Sequence, residues 1–398
     1  MPFWKKTGRN NSEVKEEKPE GFYIQCPFCG QRFLPSEVKF RFEVGEDREI
    51  RYFCTDTEKT CGKLLKEYCQ EHGYKCKLKM KNGIPMEMVL EGKTEVLRSP
   101  FRVCANDNCN QGLSNHAGFY PPGNGIFFLG ERSSGKTVML TTLVKVLQER
   151  AVSFLAELVP YNERVKEEYR KNYYDVLYRE RMMPKATVAF HSMAFEWIKY
   201  GAGENRMTEL NFSDIRGEDA DNAMRIFNGM SGKNIQNSPG FILTVDLKAA
   251  VESQENREKT MQILQNVLEK AVLSDGHKKL LAVVITKSDL LMNCYNSPVL
   301  VRTKESVSTA YRQLDYQKKP FSISGREEIQ QGVRELLTEK FPQLVLKAES
   351  VFQSSNVGYF LVSALGSAPR KEHLETEEPM PIRVEEPVLW MLDRMGML

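Results

Sequence analysis

Gly130-Glu131-Arg132-Ser133-Ser134-Gly135-Lys136-Thr137 is the stretch that decides the fold. It is a complete G-x-x-x-x-G-K-[ST] phosphate-binding loop. It follows the apolar run Ile126-Phe127-Phe128-Leu129 and opens a helix-like stretch from Thr137 to Arg150. Strand, glycine loop and helix are the context in which this pattern has a mechanism. Gly130 and Gly135 let the backbone curl, so that the N–H groups of the loop, Ser133 and Ser134 included, point inward at phosphate oxygens. Lys136 reaches the β- and γ-phosphates, Thr137 offers its hydroxyl to Mg²⁺, and the helix N-terminus adds a favourable dipole. The expectation is a bound nucleoside triphosphate.

Working outward, the pattern after residue 124 alternates strands with helices. Strands are expected near 125–129, 187–195, 208–213, 241–247, 280–285 and 357–363, and helices near 137–150, 160–181, 220–229, 255–274, 304–314, 326–339 and 386–396. Runs such as Phe241-Ile242-Leu243-Thr244-Val245 are solidly apolar, which suits a sheet covered on both faces. The fold class is α/β, a three-layer P-loop domain. The pieces at 187–195 and 208–213 are expected to pair as an antiparallel edge hairpin. Residues 1–20 are charged and poor in core formers, so a disordered tail is expected. Residues 21–118 form a cysteine-rich region, and 119–398 the nucleotide domain, joined through Tyr120-Pro121-Pro122-Gly123-Asn124-Gly125.

Three further motifs choose the nucleotide. Asp214-Ile215-Arg216-Gly217 follows the strand Glu209-Leu210-Asn211-Phe212 and looks like the second switch of GTPases, with Asp214 on Mg²⁺ through water and the Gly217 N–H on the γ-phosphate. Thr286-Lys287-Ser288-Asp289 follows the strand ending at Ile285 and resembles the [NT]-K-x-D guanine reader. The Asp289 carboxylate accepts two hydrogen bonds from guanine that adenine does not supply, and an unpaired buried polar group is costly. Lys287 lays its stem over the purine. Ser363-Ala364-Leu365 looks like the loop that supports the guanine carbonyl through backbone N–H. All lie at carboxyl ends of expected strands, where open α/β sheets bind ligands, and they select GTP/GDP over ATP. For the first switch the candidate is Thr187; an ordinary β-branched strand starter is the alternative. Glu218 stands where many relatives of Ras have a water-orienting Gln, so intrinsic hydrolysis is expected to be slow without a partner. Over about residues 124–398 the chain resembles the translation-factor and Ras-related class of P-loop GTPases.

The gross numbers exclude several classes. The chain has 398 residues, with 56 basic and 53 acidic, a net charge of +3 that directs it to neither nucleic acid nor anionic lipid. Apolar runs are too short for a membrane span, and the N-terminus lacks the apolar core of a signal peptide, so a cytoplasmic protein without membrane contact is expected. Eight of the nine cysteines lie between Cys26 and Cys109. In that setting metal ligation is favoured over disulfides. Cys26-Pro27-Phe28-Cys29-Gly30 has the form of a zinc knuckle, and a tetrahedral site needs a second pair. Cys54 with Cys61, Cys69 with Cys76, and Cys104 with Cys109 are the candidates. Sequential pairing (26/29 with 54/61) and crossed pairing (26/29 with 104/109) both remain open, with His72 and His116 as possible substitutes.

Cys26-Pro27-Phe28-Cys29 is followed by Ser36-Glu37-Val38-Lys39-Phe40-Arg41. Cys104–Cys109 leads into the phosphate loop, and the chain closes with Val384-Glu385-Glu386-Pro387-Val388-Leu389-Trp390. This combination resembles the bacterial double-GTPase family of the translation-factor-related class. The resemblance implies an N-terminal zinc ribbon, Mg²⁺ and Zn²⁺ as cofactors, and work with a protein partner or second GTPase in conflict or defence systems. The four-residue spacer between Cys104 and Cys109 is longer than the family's usual one. The expected function is a GTP-hydrolysing switch. The alternatives are a zinc-ribbon nucleic-acid module regulated by the NTPase domain, and a hydrolysis-deficient nucleotide-binding scaffold.

Overall fold

The computed structural model describes residues 23–120, 124–185, 191–201, 205–214, 235–236, 238–265, 278–294, 327–370, 373–376 and 378–398. The expected tail 1–20 and the helices at 220–229 and 304–314 lie outside them.

The cysteine-rich part comes first. It holds the short hairpin β1 (Ile24–Gln25) and β2 (Arg32–Phe33), then β3 (Lys39–Val44) and β4 (Glu49–Phe53). Helix α1 (Thr60–His72) leads to β5 (Lys75–Lys81), β6 (Ile84–Glu91), β7 (Val96–Ser99) and β8 (Arg102–Val103). β4-β3-β8 and β5-β6-β7 form two antiparallel three-stranded sheets. α1 stops at Gly73, whose φ of 67° is the left-handed cap that glycine adopts freely, and the chain turns back as β5.

The second part is built on β9 (Asn124–Gly130), α2 (Lys136–Arg150), β10 (Ala156–Pro160), α3 (Glu163–Tyr169), β11 (His191–Lys199), β12 (Arg206–Asp214), β13 (Gly240–Val245), β14 (Leu280–Ile285) and β15 (Val357–Leu361). Among the described residues these strands form a seven-stranded sheet in the order β10-β11-β12-β9-β13-β14-β15. β12, β9, β13, β14 and β15 run parallel. Side chains alternate across β9: Ile126 and Phe128 join the core on one face, with Leu140 and Leu143 of α2. Phe127 and Leu129 join the core on the other, with Leu336 and Leu344. Both faces are covered, which is why the strands read as unbroken apolar runs.

The hairpin of β11 and β12 is antiparallel as expected, yet it is not the edge. β10 pairs outside β11, Ala156 opposite Lys199. Its five residues fall between the expected helices at 137–150 and 160–181, too short to announce themselves by alternation. α3 follows, capped by the Asn162 side chain, which accepts the Val165 N–H at 2.9 Å. It continues as a π-helix over Arg170–Arg179. A helix at Pro342–Phe352 was not expected either; Pro342 sits in its first turn, where the missing N–H costs nothing.

Candidate nucleotide site

The phosphate loop joins β9 to α2 as a strained curl. Gly130 has φ 150° and Gly135 φ 89°, and Ser133 adopts φ 63°. A side chain at Gly130 would run into the hydroxyl and carbonyl oxygens of Thr244, so the loop lies directly on β13. Ser134 is buried, and its hydroxyl pairs with Thr244 Oγ1 at 2.8 Å, which in turn donates to the Leu129 carbonyl at 2.9 Å. Ser134 therefore acts on the loop through its backbone. The buried Lys136 ammonium donates to the Gly130 and Glu131 carbonyls at 2.9 and 2.8 Å, spanning the curl. The Thr260 hydroxyl is bonded to the Glu131 carboxylate, whose pKa burial raises. Thr137 opens α2 beside Lys136.

A cleft of about 90 Å³ opens beside the loop. Gly135, Thr286, Lys287, Asp289, Ser363 and Ala364 all line it. These six residues come from three loops, each following a strand of the sheet. The Thr286 hydroxyl donates to the Ser134 carbonyl at 2.7 Å, tying one loop to the next. Lys287 takes φ 54°, and its ammonium meets Asp246 Oδ2 at 2.6 Å. Ser363 Oγ donates to Asp289 Oδ1 at 2.5 Å and accepts the Gly366 N–H at 2.9 Å, so the carboxylate is held at the mouth of the cleft. Backbone bonds reinforce this: Ser288 N–H donates to the Val362 carbonyl at 3.1 Å.

Asp214 closes β12, its backbone opposite Phe128 of β9, at the same end of the sheet as the phosphate loop. Beyond that backbone, Asp214, with Thr187, Arg216, Gly217 and Glu218, lies outside the described residues.

The cysteines assort by the crossed pairing. The sulfurs of Cys26, Cys29, Cys104 and Cys109 all lie within 4.8 Å of one another. Cys26 and Cys109 are 3.8 Å apart, and Cys29 and Cys104 are 3.6 Å apart. Four thiolates at a zinc–sulfur distance of about 2.3 Å in a tetrahedron sit about 3.8 Å from each other, so the residues fit this metal. Each pair rides on a tight turn. Gly30 N–H bonds the Cys26 carbonyl at 2.8 Å, and Asn106 N–H points at Cys104 Sγ at 3.4 Å. Hydrogen bonding from Cys104 holds the Cys29 thiol well below its usual range and lowers Cys109 as well. The buried Lys39 ammonium reaches Asp107 at 3.2 Å and the Asn110 carbonyl, bringing a positive charge to the second turn. Cys54 and Cys61 do not join this cluster. They are bonded to each other, and sequential pairing is corrected on that account: the loop before α1 brings Cys54 to Cys61 and away from the β1–β2 turn. His116 is bound to Glu196 at 2.9 Å rather than to the cysteines, and His72 to the Tyr68 carbonyl at 3.0 Å.

A family model described as Double-GTPase 2 matches residues 124–341, more than half of the chain. The chain belongs to the double-GTPase 2 family. No curated protein matches it. Among solved structures it is similar to the S. cerevisiae Ski7 GTPase-like domain bound to GDP and inorganic phosphate, at 14% identity and TM-score 0.35, over 70% of this chain and 51% of that one. The same domain bound to GTP gives 13% and 0.35, again over 70% and 51%. The signal recognition particle receptor SRb-GTP/SRX complex from Chaetomium thermophilum gives 13% and 0.30, over 64% and 96%. This chain spans about half the length of the Ski7 chains.

Several residues of this double-GTPase site escaped the sequence reading. Thr244 and Asp246, at the carboxyl end of β13, were visible as polar residues closing an apolar run. Others had no local signal. Asn211 Nδ2 of β12 donates to the Pro27 carbonyl at 2.6 Å, and Ser192 Oγ of β11 donates to the same oxygen at 3.2 Å. Phe28 packs edge-on against Tyr161, ring centres 6.1 Å apart. The tip of the cysteine knuckle therefore rests on β11 and β12 of the large sheet. Nearby, Glu196 accepts from Ser114 Oγ and from Tyr120 OH at 2.7 Å, and stands opposite Glu209. Burial, then the charge of Glu196, pushes Glu209 well above the usual carboxylate range.

Proposed function

We propose that this double-GTPase is a guanine-nucleotide switch that binds GTP and GDP with Mg²⁺ and hydrolyses GTP. The observation that carries the reading is the convergence of Gly135, Thr286, Lys287, Asp289, Ser363 and Ala364 on one cleft beside the phosphate loop. In this reading Gly130 to Thr137 wrap the phosphates, and Lys136 leaves its carbonyl partners for the β- and γ-oxygens. Bound Mg²⁺ would neutralise the phosphate charge, with Thr137 and Asp214 as its protein-side holders. Thr187 and the Gly217 N–H complete the γ-phosphate contacts, and their release after hydrolysis is the switch. Asp289, fixed by Ser363, accepts from guanine. Glu218 is a poor water-orienting group beside the γ-phosphate, so turnover is slow until a protein partner, such as a second GTPase in a conflict system, completes the site.

The four clustered cysteines hold a structural Zn²⁺ that contributes to folding of a region with a thin core. A nucleic-acid role is disfavoured because several basic residues of the cysteine-rich region pair with acidic neighbours: Lys39 with Asp107, Lys77 with Glu91 and Lys79 with Glu87.

The test is a titration of wild type and Asp289→Asn with GTP, GDP and ATP in Mg²⁺. Guanine-selective binding that Asp289→Asn weakens by about 100-fold or more supports the reading. Equal ATP binding, indifferent to Asp289, overturns it. Multiple-turnover phosphate release separates a hydrolysing switch from an inert scaffold.

A further inference from the structure

The base end of the cleft has a wall that no motif announces. Met183 and the segment Ser367–Pro369 line it opposite the Asp289 loop. The stretches beside them, 181–182 and 373–374, are far apart in sequence yet bonded to each other. Leu374 N–H donates to the Arg181 carbonyl at 3.0 Å, and Met182 pairs with His373 in an antiparallel bridge. Arg370 and His373 exchange backbone bonds of 2.9 and 3.2 Å, which returns the chain toward Arg181.

Side chains seal the same junction. Val138, Leu177 and Leu365 form a small buried cluster, distinct from the two large cores, and Met183, Tyr178, Ala364 and Leu374 pack around it. Its members come from the start of α2, the π-helix, the Ser363-Ala364-Leu365 loop and the returning segment. Four of them, Val138, Met183, Ala364 and Leu365, also line the cleft. The wall is thus continuous with a mini-core against which Met183, next to one paired stretch, and Leu374, within the other, are packed. A cluster this small gains little from burial compared with the cores, so its opening is the cheap way into the cleft.

We propose that Met183 is a nucleotide-binding residue forming the outer wall of the base pocket, and that the pairing of 181–182 with 373–374 sets how long nucleotide stays bound. The inference rests on the guanine-nucleotide reading and deepens it. Met183 touches the base, its thioether well suited to a polarizable ring. Leu374 is a positioning residue: it lies in the mini-core and acts by holding Met183 in place.

The experiment uses the full zinc-loaded chain with a fluorescent N-methylanthraniloyl-GDP in Mg²⁺, chased with excess GDP. Leu374→Ala is expected to raise the dissociation rate about tenfold or more while the preference for GDP over ADP persists, because Asp289 is untouched. The double variant Met182→Cys with His373→Cys, once oxidised, is expected to slow release about tenfold, with recovery on reduction. Wild type carried through the same oxidation and reduction controls for the native cysteines. Should Leu374→Ala prove poorly folded, the tethered variant decides. A release rate unchanged by the tether, with guanine preference intact, overturns the wall and leaves the guanine reading standing. A wild type that holds GDP and ADP equally sinks the guanine reading instead.

Discussion

The nucleotide half and the cysteine half of this molecule build their sites in opposite ways. In the nucleotide half each functional loop is a continuous stretch placed by the strand it follows. Parallel strands send all their carboxyl ends the same way, so 130–137, 286–289 and 363–364 meet without any residue having to specify its partner. In the cysteine half each turn supplies two thiols, and the cluster exists only when Cys26 and Cys29 meet Cys104 and Cys109, 75 or more residues away in both observed contacts. Local motifs suffice where a sheet does the assembly. Where only long-range docking does it, spacing leaves the partners open.

The halves differ in another respect. The nucleotide half has a large apolar core on each face of its sheet, and the cysteine half has one smaller core that includes Cys26, Cys29 and Cys104 themselves. The first stands on aliphatic and aromatic packing; the second uses its clustered cysteines as core.

The largest expected effect breaks one half alone. Lys136→Ala removes the ammonium that spans the phosphate loop. Nucleotide affinity, measured by titration calorimetry, is expected to fall by more than about 100-fold with zinc content unchanged. Next, Cys29→Ser is expected to abolish zinc retention and to destabilise the chain by several kcal/mol, on the order of a lost metal site, in denaturant unfolding. Cys69→Ser, at a half-buried thiol outside the cluster, is expected to cost less than about 1 kcal/mol in the same experiment. Equal effects of the two would erase the contrast drawn between clustered and unclustered cysteines.

Smaller than the loss of the cysteine cluster is the expected effect of cutting the link between the halves. Asn211→Ala removes the bond to the Pro27 carbonyl and is expected to cost about 1–3 kcal/mol, since a buried carbonyl loses its strongest donor. If the knuckle also steadies β11 and β12, the ratio of GTP to GDP affinity shifts with it. The smallest effect is expected at Glu209. Its folded-state pKa is raised, so between the ordinary carboxylate pKa and that raised value the unfolded chain binds fewer protons and stability falls as pH rises. Glu209→Gln is expected to raise the melting temperature at pH 7.5, with the gain vanishing toward pH 4.

Much of the nucleotide half is legible because its signals are local. The phosphate loop needs glycine at Gly130 and Gly135 for conformations that other residues rarely adopt, and Thr286 to Asp289 sits where an apolar run ends. What escaped reading has no local mark. β10 is five residues long between two expected helices, and Asn211 looks like any polar residue of a strand until Pro27 arrives on it. Met183 reads as a stray apolar residue in a loop, and only the returning segment at 373–374 makes it a wall.

By itself the amino-acid sequence determined the α/β class, the phosphate loop and the order of motifs along the chain. Backbone conformation, hydrophobic period and short-range spacing are properties of neighbours. Only the tertiary structure decided which cysteines cluster, that Cys54 and Cys61 bond to each other, and that the knuckle rests on β11 and β12. Those pairings depend on the docking of segments up to 184 residues apart, where the free energy of contact is shared among many side chains and written in none.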